Sequence, residues 1–257
     1  MAEHLTSPCS CSASFVLGDL LLAKGEMPTL SSFLGAIEYH LRPEKCDWWG
    51  GPFNGQYFRQ NIFIDLYRSC EFDYIVETGT FCGTTTLFFA QNTGVPIYTT
   101  ECSSRFYGYS RRRLRRLSNV RQHLADTRTF LHSLAMPKDS RVFFYLDAHW
   151  EDDLPLAEET EFIVSNFSNF VIMIDDFAVA GDGGYKFDDY GPGKQLSLRD
   201  FPFHRDVRIS CYFPSRRGCH ESGSRKGSIV LASQSMGPFL DHLSCLRKVA
   251  EAATEAA

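Results

Sequence analysis

Two acidic runs in the middle of the chain carry the most chemistry. Asp147-Ala148-His149-Trp150 follows the apolar run 142–146, and Asp175-Asp176 follows the apolar run 170–174. If both runs are neighbouring parallel strands, their ends lie about 4.8 Å apart. Asp147, Asp175 and Asp176 can then converge on one point. Three carboxylates beside open water positions suit a hard divalent cation, Mg²⁺ or Mn²⁺. Such a cation binds a hydroxyl and lowers its pKa, which turns it into a nucleophile. His149 adds an imidazole that titrates near neutral pH, so Asp147 and His149 are both candidate bases. Acids at strand ends also cap loops and helices, and that plainer role stays open for each of them.

A second constellation lies upstream, in Val76-Glu77-Thr78-Gly79-Thr80-Phe81-Cys82-Gly83-Thr84-Thr85. An apolar strand runs into a glycine turn and then a helix. Gly79 and Gly83 permit the turn and a close backbone approach to a ligand, and the helix start offers free N–H groups. A dinucleotide site wants G-x-G-x-x-G and a phosphate loop wants Gly-Lys-Ser/Thr. Here Phe81 stands where the second glycine would be, and threonines follow Gly83. A ligand with no phosphate fits better, and S-adenosylmethionine (SAM), an amino-acid head on a nucleoside, is one. Glu77 can receive its ammonium directly or through water. Glu101 ends the next strand, where a carboxylate grips the ribose hydroxyls. Asp126-Thr127 ends the third, within reach of the adenine amino group. A row of strand ends bearing acids or polar residues matches ligand binding at the carboxyl edge of an open α/β sheet.

The elements that must position these residues alternate along the chain. Strands are expected at 74–77, 97–101, 120–125, 142–147 and 170–175, with helices at 84–91, 104–117, 128–134 and 156–166 between them. Short strands that are apolar throughout and separated by helices imply a parallel sheet covered on both faces. Strands at 207–213 and 228–232, joined by a polar loop with Gly and Pro breaks, read as a closing antiparallel hairpin. The expected fold is a doubly wound, mostly parallel, seven-stranded α/β sheet ending in that hairpin, with N-terminal helices. Residues 1–14 read as a disordered tail, 15–70 as a helical cap or lid, 71–240 as the main domain, and 241–257 as a terminal helix and tail.

Composition sets further bounds. The chain has 257 residues and a formal charge of −5, enough for one large domain and without the basic excess of a nucleic-acid binder. Nine cysteines at irregular spacing suggest reduced thiols in a cytoplasmic protein. A secretory signal is not expected, nor is a membrane span, since no run of about 18 apolar residues occurs. The basic run Arg111–Arg116 reads as the solvated face of a helix. The loop 180–194, rich in Gly and Asp, offers Asp182, Tyr185, Asp188, Asp189 and Tyr190 to a polyol or sugar, or is simply solvated. Asn54, Gln56 and Arg59 are further contacts for cofactor or substrate. The aromatic N-terminal segment can pack against a second copy, as in a homodimer.

Together, V-E-T-G-T-F-C-G-T-T, the strand-ending Glu101, D-A-H-W and I-D-D-F resemble class I SAM-dependent methyltransferases. More narrowly, they resemble the metal-dependent O-methyltransferases of the catechol and macrocin (sugar) type. The resemblance spans 74–177 and the closing hairpin. It implies a Rossmann-like methyltransferase fold and transfer of a methyl group to a small-molecule hydroxyl, sugar-like or phenolic. It implies that Glu77, Gly79, Thr80, Phe81, Gly83, Thr84, Thr85, Glu101, Asp126 and Thr127 line the SAM pocket, with Asp147, His149 and Trp150 beside it. Asp147, Asp175 and Asp176 would hold the metal. The chain departs from the catechol type in carrying Asp-Asp at 175–176, as the macrocin type does, and Glu151 where a lysine base stands. Two other readings are a non-catalytic SAM-fold scaffold and a nicotinamide-dependent oxidoreductase. The missing glycine disfavours the oxidoreductase, and the acidic triplet disfavours both.

Overall fold

The computed structural model describes residues 29–149 and 153–249. The expected tail at 1–14, the first part of the expected helical cap (15–28), residues 150–152 with Trp150 and Glu151, and residues 250–257 lie outside the described residues. Helix α1 (Leu30–Leu41) starts at Thr29, whose hydroxyl caps the Ser32 N–H at 3.1 Å. Two 3₁₀ segments, Pro43–Gly50 and Pro52–Gly55, lead into α2 (Tyr57–Cys70). Strands and helices then alternate: β1 (Tyr74–Thr78), α3 (Thr84–Asn92), β2 (Ile97–Glu101), α4 (Ser104–Leu114), β3 (Val120–Leu124), α5 (Thr127–Ser133), β4 (Arg141–Leu146), α6 (Leu156–Asn166) and β5 (Asn169–Ile174). The chain closes with β6 (Ile209–Pro214), β7 (Ile229–Ser233), the short α7 (Gly237–Leu240) and β8 (Leu246–Lys248).

The sheet order is β3-β2-β1-β4-β5-β7-β6-β8. β1 to β5 are parallel, whereas β7 runs antiparallel to both β5 and β6. The doubly wound sheet and its closing hairpin match the sequence reading. Among the described residues, only the four-residue α7 follows the hairpin, and no helix covers 241–249. Leu246–Lys248 instead adds an eighth strand, paired antiparallel with β6, because the chain turns back after only four helical residues. The helix expected to reach 117 stops at Leu114.

Successive strand residues face opposite sides of a sheet, and the two faces bury separate cores. Val76, Phe144, Ile172 and Ile174 pack with Phe130 and Leu131 of α5 and Leu156 and Ile163 of α6. Ile75, Phe143, Tyr145, Val171 and Met173 pack with Ile62, Phe63 and Leu66 of α2 and Phe89 of α3. Both faces of β4 and β5 are therefore dry, which is why their sequences run apolar rather than alternate. The same period carries Glu77, Asp147 and Asp175, two residues beyond Ile75, Tyr145 and Met173, toward the α2–α3 face. α1 lies on α4 at close range, and a Cβ on Gly108 would meet the Ser32 carbonyl at 1.9 Å. No helix among the described residues is long and apolar enough to cross a membrane.

Candidate active site at the carboxyl edge of the sheet

The strand order reverses between β1 and β4, and the glycine turn sits there. Gly79 has φ +92 and Gly83 φ +73, with Phe81 between them at φ +47. A Cβ on Gly79 would meet the Asp147 carbonyl oxygen at 2.6 Å, so glycine lets the ends of β1 and β4 touch. Phe81 is held by stacking on Trp48 (5.9 Å between ring centres) and by contact with Phe106 (4.4 Å).

Glu77 is buried beneath this turn, and the hydroxyls of Thr86 and Thr99 donate to its Oε2. Burial outweighs those two bonds and pushes its carboxyl up to about 7. Glu101 accepts the N–H of Phe81 at 2.7 Å and of Ser103 at 2.8 Å, one on each oxygen. Burial raises it as well; the Cys102 thiol also donates to Oε1 at 3.9 Å, while Oε2 keeps a second lone pair for a ligand. Thr80 bonds Thr99. Thr84 donates to the Cys46 carbonyl at 3.0 Å, and the Thr85 hydroxyl accepts the Phe53 N–H at 3.2 Å. The segment 43–55 thus packs directly on the turn. Arg113 joins it, reaching Cys82 O at 3.1 Å and Thr84 Oγ1 at 2.8 Å. One arginine of the expected solvated face therefore points inward. Asp126 is the N-cap of α5, bonding the Arg128 N–H at 2.9 Å. Thr127 is buried behind it.

The acidic residues divide differently from the expected triplet. Asp175 is fully buried; Arg59 of α2 pairs with its Oδ1 and the Tyr145 hydroxyl donates to its Oδ2. Both oxygens are engaged within the protein, so Asp175 does not fit a metal ligand. Asp147 stays nearby, its Oδ2 3.4 Å from the Tyr145 hydroxyl. Burial, reinforced by Asp176, holds its carboxyl well above the usual range.

Among the described residues, the set that does converge is His149, Asp176 and Asp188, whose ligand atoms lie within 4.8 Å of one another. Asp176 has φ +54, a left-handed conformation that aspartate tolerates. Its Oδ1 and the His149 Nε2 are buried without hydrogen-bond partners. Burial lowers the His149 pKa and keeps the ring neutral, against the opposing pull of Asp176 and Asp188. Lys226 pairs with Asp188 and lies 3.5 Å from Asp176 Oδ2. Burial works against its charge, but those two carboxylates outweigh burial and raise its pKa. Tyr190 donates to Asp188 at 2.9 Å and to the His149 carbonyl at 3.3 Å.

Other expected contacts turn out to be internal. Gln56 exchanges two bonds with the Lys226 backbone, at 2.7 and 2.6 Å, and Arg59 also donates to the carbonyls of Lys226 and Gly227. Asp182 binds the N–H groups of Gly184 and Gly218, and the Tyr185 hydroxyl binds Arg216 O. Asp189 pairs with Gln195. Of the loop 180–194, Asp188 and Tyr190 alone of the five named residues join the cluster through their side chains.

Lys226 and Tyr145 escape the sequence reading. Tyr145 hides inside an apolar strand, although it lies two residues before Asp147 and so on the same face. Lys226 has a topological signal: β7 is antiparallel to β5, with Ile229 opposite Ile174. The residues just before β7 therefore project past the carboxyl end of β5, beside Asp175 and Asp176.

No protein-family model matches the chain, and no curated protein matches it. Solved structures do. An O-methyltransferase from Bacillus cereus, solved with S-adenosylhomocysteine (SAH), is 16% identical with a TM-score of 0.52, over 86% of this chain and 96% of that one. The O-methyltransferase TomG from Streptomyces achromogenes, solved with SAM, is 15% identical with a TM-score of 0.51, over 83% and 92%. The SAH-bound methyltransferase PaMTH1 from Podospora anserina is 14% identical with a TM-score of 0.51, over 90% and 100%. At these identities the likeness establishes the fold, a Rossmann-like methyltransferase fold.

Proposed function

We propose that this chain is a SAM-dependent methyltransferase that acts on a hydroxyl of a small polar molecule, sugar-like or phenolic. The observation that carries the reading is the arrangement of the sheet edge. Glu77 and Glu101 flank the Gly79–Gly83 turn at the switch point, and the His149–Asp176–Asp188 cluster lies next to it beyond β4 and β5. The first group suits the ammonium and ribose of SAM, with Asp126 and Thr127 toward the adenine. The second suits a polar acceptor. Structural similarity to enzymes solved with SAM or SAH supports the cofactor.

In the transfer, the acceptor oxygen attacks the sulfonium methyl, a C–O bond forms, the C–S bond breaks and SAH leaves. The hydroxyl proton needs an acceptor. His149, neutral and with a free Nε2, is the candidate base, and Asp147 is the alternative. The oxyanion that develops on the acceptor is stabilised by a fixed positive charge at the cluster.

A metal-assisted form is a second reading, favoured by the convergence of His149, Asp176 and Asp188, and it requires the Lys226 ammonium to leave that cluster. Mg²⁺ or Mn²⁺ would supply Lewis acidity toward the hydroxyl. The core thiols of Cys70, Cys82 and Cys211 are free, which supports a reducing, cytoplasmic setting. A cap formed by the segment before β1, and pairing of two copies through its aromatic residues, belong to the same proposal.

The test is calorimetric titration with SAM and SAH on the wild type and on Glu101→Ala, followed by transfer of labelled methyl from SAM to pooled polyols and phenols. Tight binding lost in the variant supports the reading. Failure of the wild type to bind either nucleoside would sink it.

A further inference from the structure

The acidic cluster already contains a cation from its own chain. Lys226 reaches it from the segment before β7, and its ammonium contacts Asp188 and approaches Asp176. His149, only 6% exposed, offers its ring to the same point with Nε2 unpartnered. This donor set, two carboxylates and an imidazole within 4.8 Å of one another, has the chemistry of a divalent-cation site. The ammonium lies among those donors, so a metal there would meet a like charge at close range.

We propose that Lys226 is the resident cation of the cluster, standing in for a divalent metal between Asp176 and Asp188, so that the wild-type site takes neither Mg²⁺ nor Mn²⁺. Arg59 plays the matching part at Asp175. The ammonium is then the fixed charge presented to the acceptor oxygen, a clause that rests on the methyltransferase reading. The lysine fits the role because its backbone is anchored separately: Gln56 and Arg59 hold its N–H and carbonyl. Removing the side chain leaves that clamp in place.

Mn²⁺ binding, read by electron paramagnetic resonance, tests the assignment without any turnover. Wild type and Lys226→Arg should bind no Mn²⁺ below the millimolar range. Lys226→Ala and Lys226→Met should each gain one site at least about tenfold tighter, because two carboxylates and an imidazole are left without a cation. Adding Asp176→Asn should abolish the gain. Wild-type binding as tight as that of Lys226→Ala would overturn the proposal, and so would failure of both folded truncations to bind. Tight Mn²⁺ binding by the wild type decides the matter even if a truncation does not fold. SAH titration on the same samples keeps the two ideas apart. Loss of SAH binding throughout would sink the methyltransferase reading and leave the cation assignment standing.

Discussion

Arg59 on α2 and Asp175 at the end of β5 form an ion pair with both side chains withdrawn from water, at 1% and 0% exposure. The pair ties the segment before β1 to the carboxyl edge of the sheet, and it explains why Asp175 is not a free ligand. Taking one partner away leaves a buried charge uncompensated, which costs about 3–5 kcal/mol. Arg59→Met should therefore lower the urea midpoint sharply. Arg59→Met with Asp175→Asn should recover most of the loss. A single variant as stable as the wild type would show that the pair is not closed in solution.

Glu77 should make cofactor affinity depend on pH. Its carboxyl is pushed up to about 7 by burial, and the proposed ligand brings an ammonium that favours the ionised form. Below pH 7 binding must release a proton, so affinity falls as pH drops, by up to about tenfold per unit. Glu77→Gln should weaken SAH binding at pH 8 and flatten the pH profile. Calorimetry at pH 6 and pH 8, in two buffers of different ionisation enthalpy, reads both affinity and proton release. A flat wild-type profile would remove Glu77 from the ammonium site.

Glu159 on α6 should make stability depend on pH without touching the ligand. It is 2% exposed, and burial pushes its carboxyl up to about 7. The unfolded value is near 4.5. Between these two values the folded chain keeps a proton that the unfolded chain has released, so stability falls as pH rises through that window. The full penalty, present above pH 7, is at most about 3 kcal/mol. Glu159→Gln should stabilise the protein at pH 8 and change little at pH 4.5, as read by urea unfolding at the two pH values. Glu77 contributes a slope of the same sign, so some pH dependence should survive the substitution. Equal effects at both pH values would contradict the burial argument.

The sheet was legible because its central strands bear a clear signal. Val142–Leu146 and Phe170–Ile174 are apolar on both faces because helices cover both, and the breaks at Gly79, Gly83 and Pro214 mark where turns fall. The acids at the ends of β1, β2 and β4 were found for the same reason, since strand ends define the edge where ligands bind. What failed was pairing across long sequence separation. Asp175 and Asp176 are identical and adjacent in sequence, yet one is sealed by Arg59 and the other faces the cluster. That division depends on which face each side chain takes after the strand ends, and on the left-handed turn at Asp176. Lys226 was invisible because a cation in a polar loop carries no local mark. Only the antiparallel placement of β7 brings it to Asp176, 50 residues earlier in the chain. The eighth strand was missed because Leu246–Lys248 is three residues long and gains its partner only after β6 is in place.

Gly79 and Gly94 offer a paired test of the switch point. Both are glycines flanking βαβ elements, but a methyl group at Gly79 would press on the Asp147 carbonyl at 2.6 Å, whereas one at Gly94 meets nothing within 4 Å. Gly79 also has φ +92, and Gly94 has no such constraint. Gly79→Ala must either twist the turn or part β1 from β4, at a cost of about 1–3 kcal/mol for a residue held in a disfavoured backbone region. Either movement displaces Glu77 and Asp147, which sit on opposite sides of the contact. Gly79→Ala should therefore lose SAH affinity by more than its loss of stability alone explains. Gly94→Ala should leave both unchanged or add a few tenths of a kcal/mol by restricting the unfolded chain. Thermal unfolding with and without SAH separates the two effects, because a ligand raises the midpoint only as far as it binds the folded state. If Gly79→Ala kept the full SAH-induced shift, the turn would not be the cofactor's seat, and the site would have to be sought away from the β1–β4 junction.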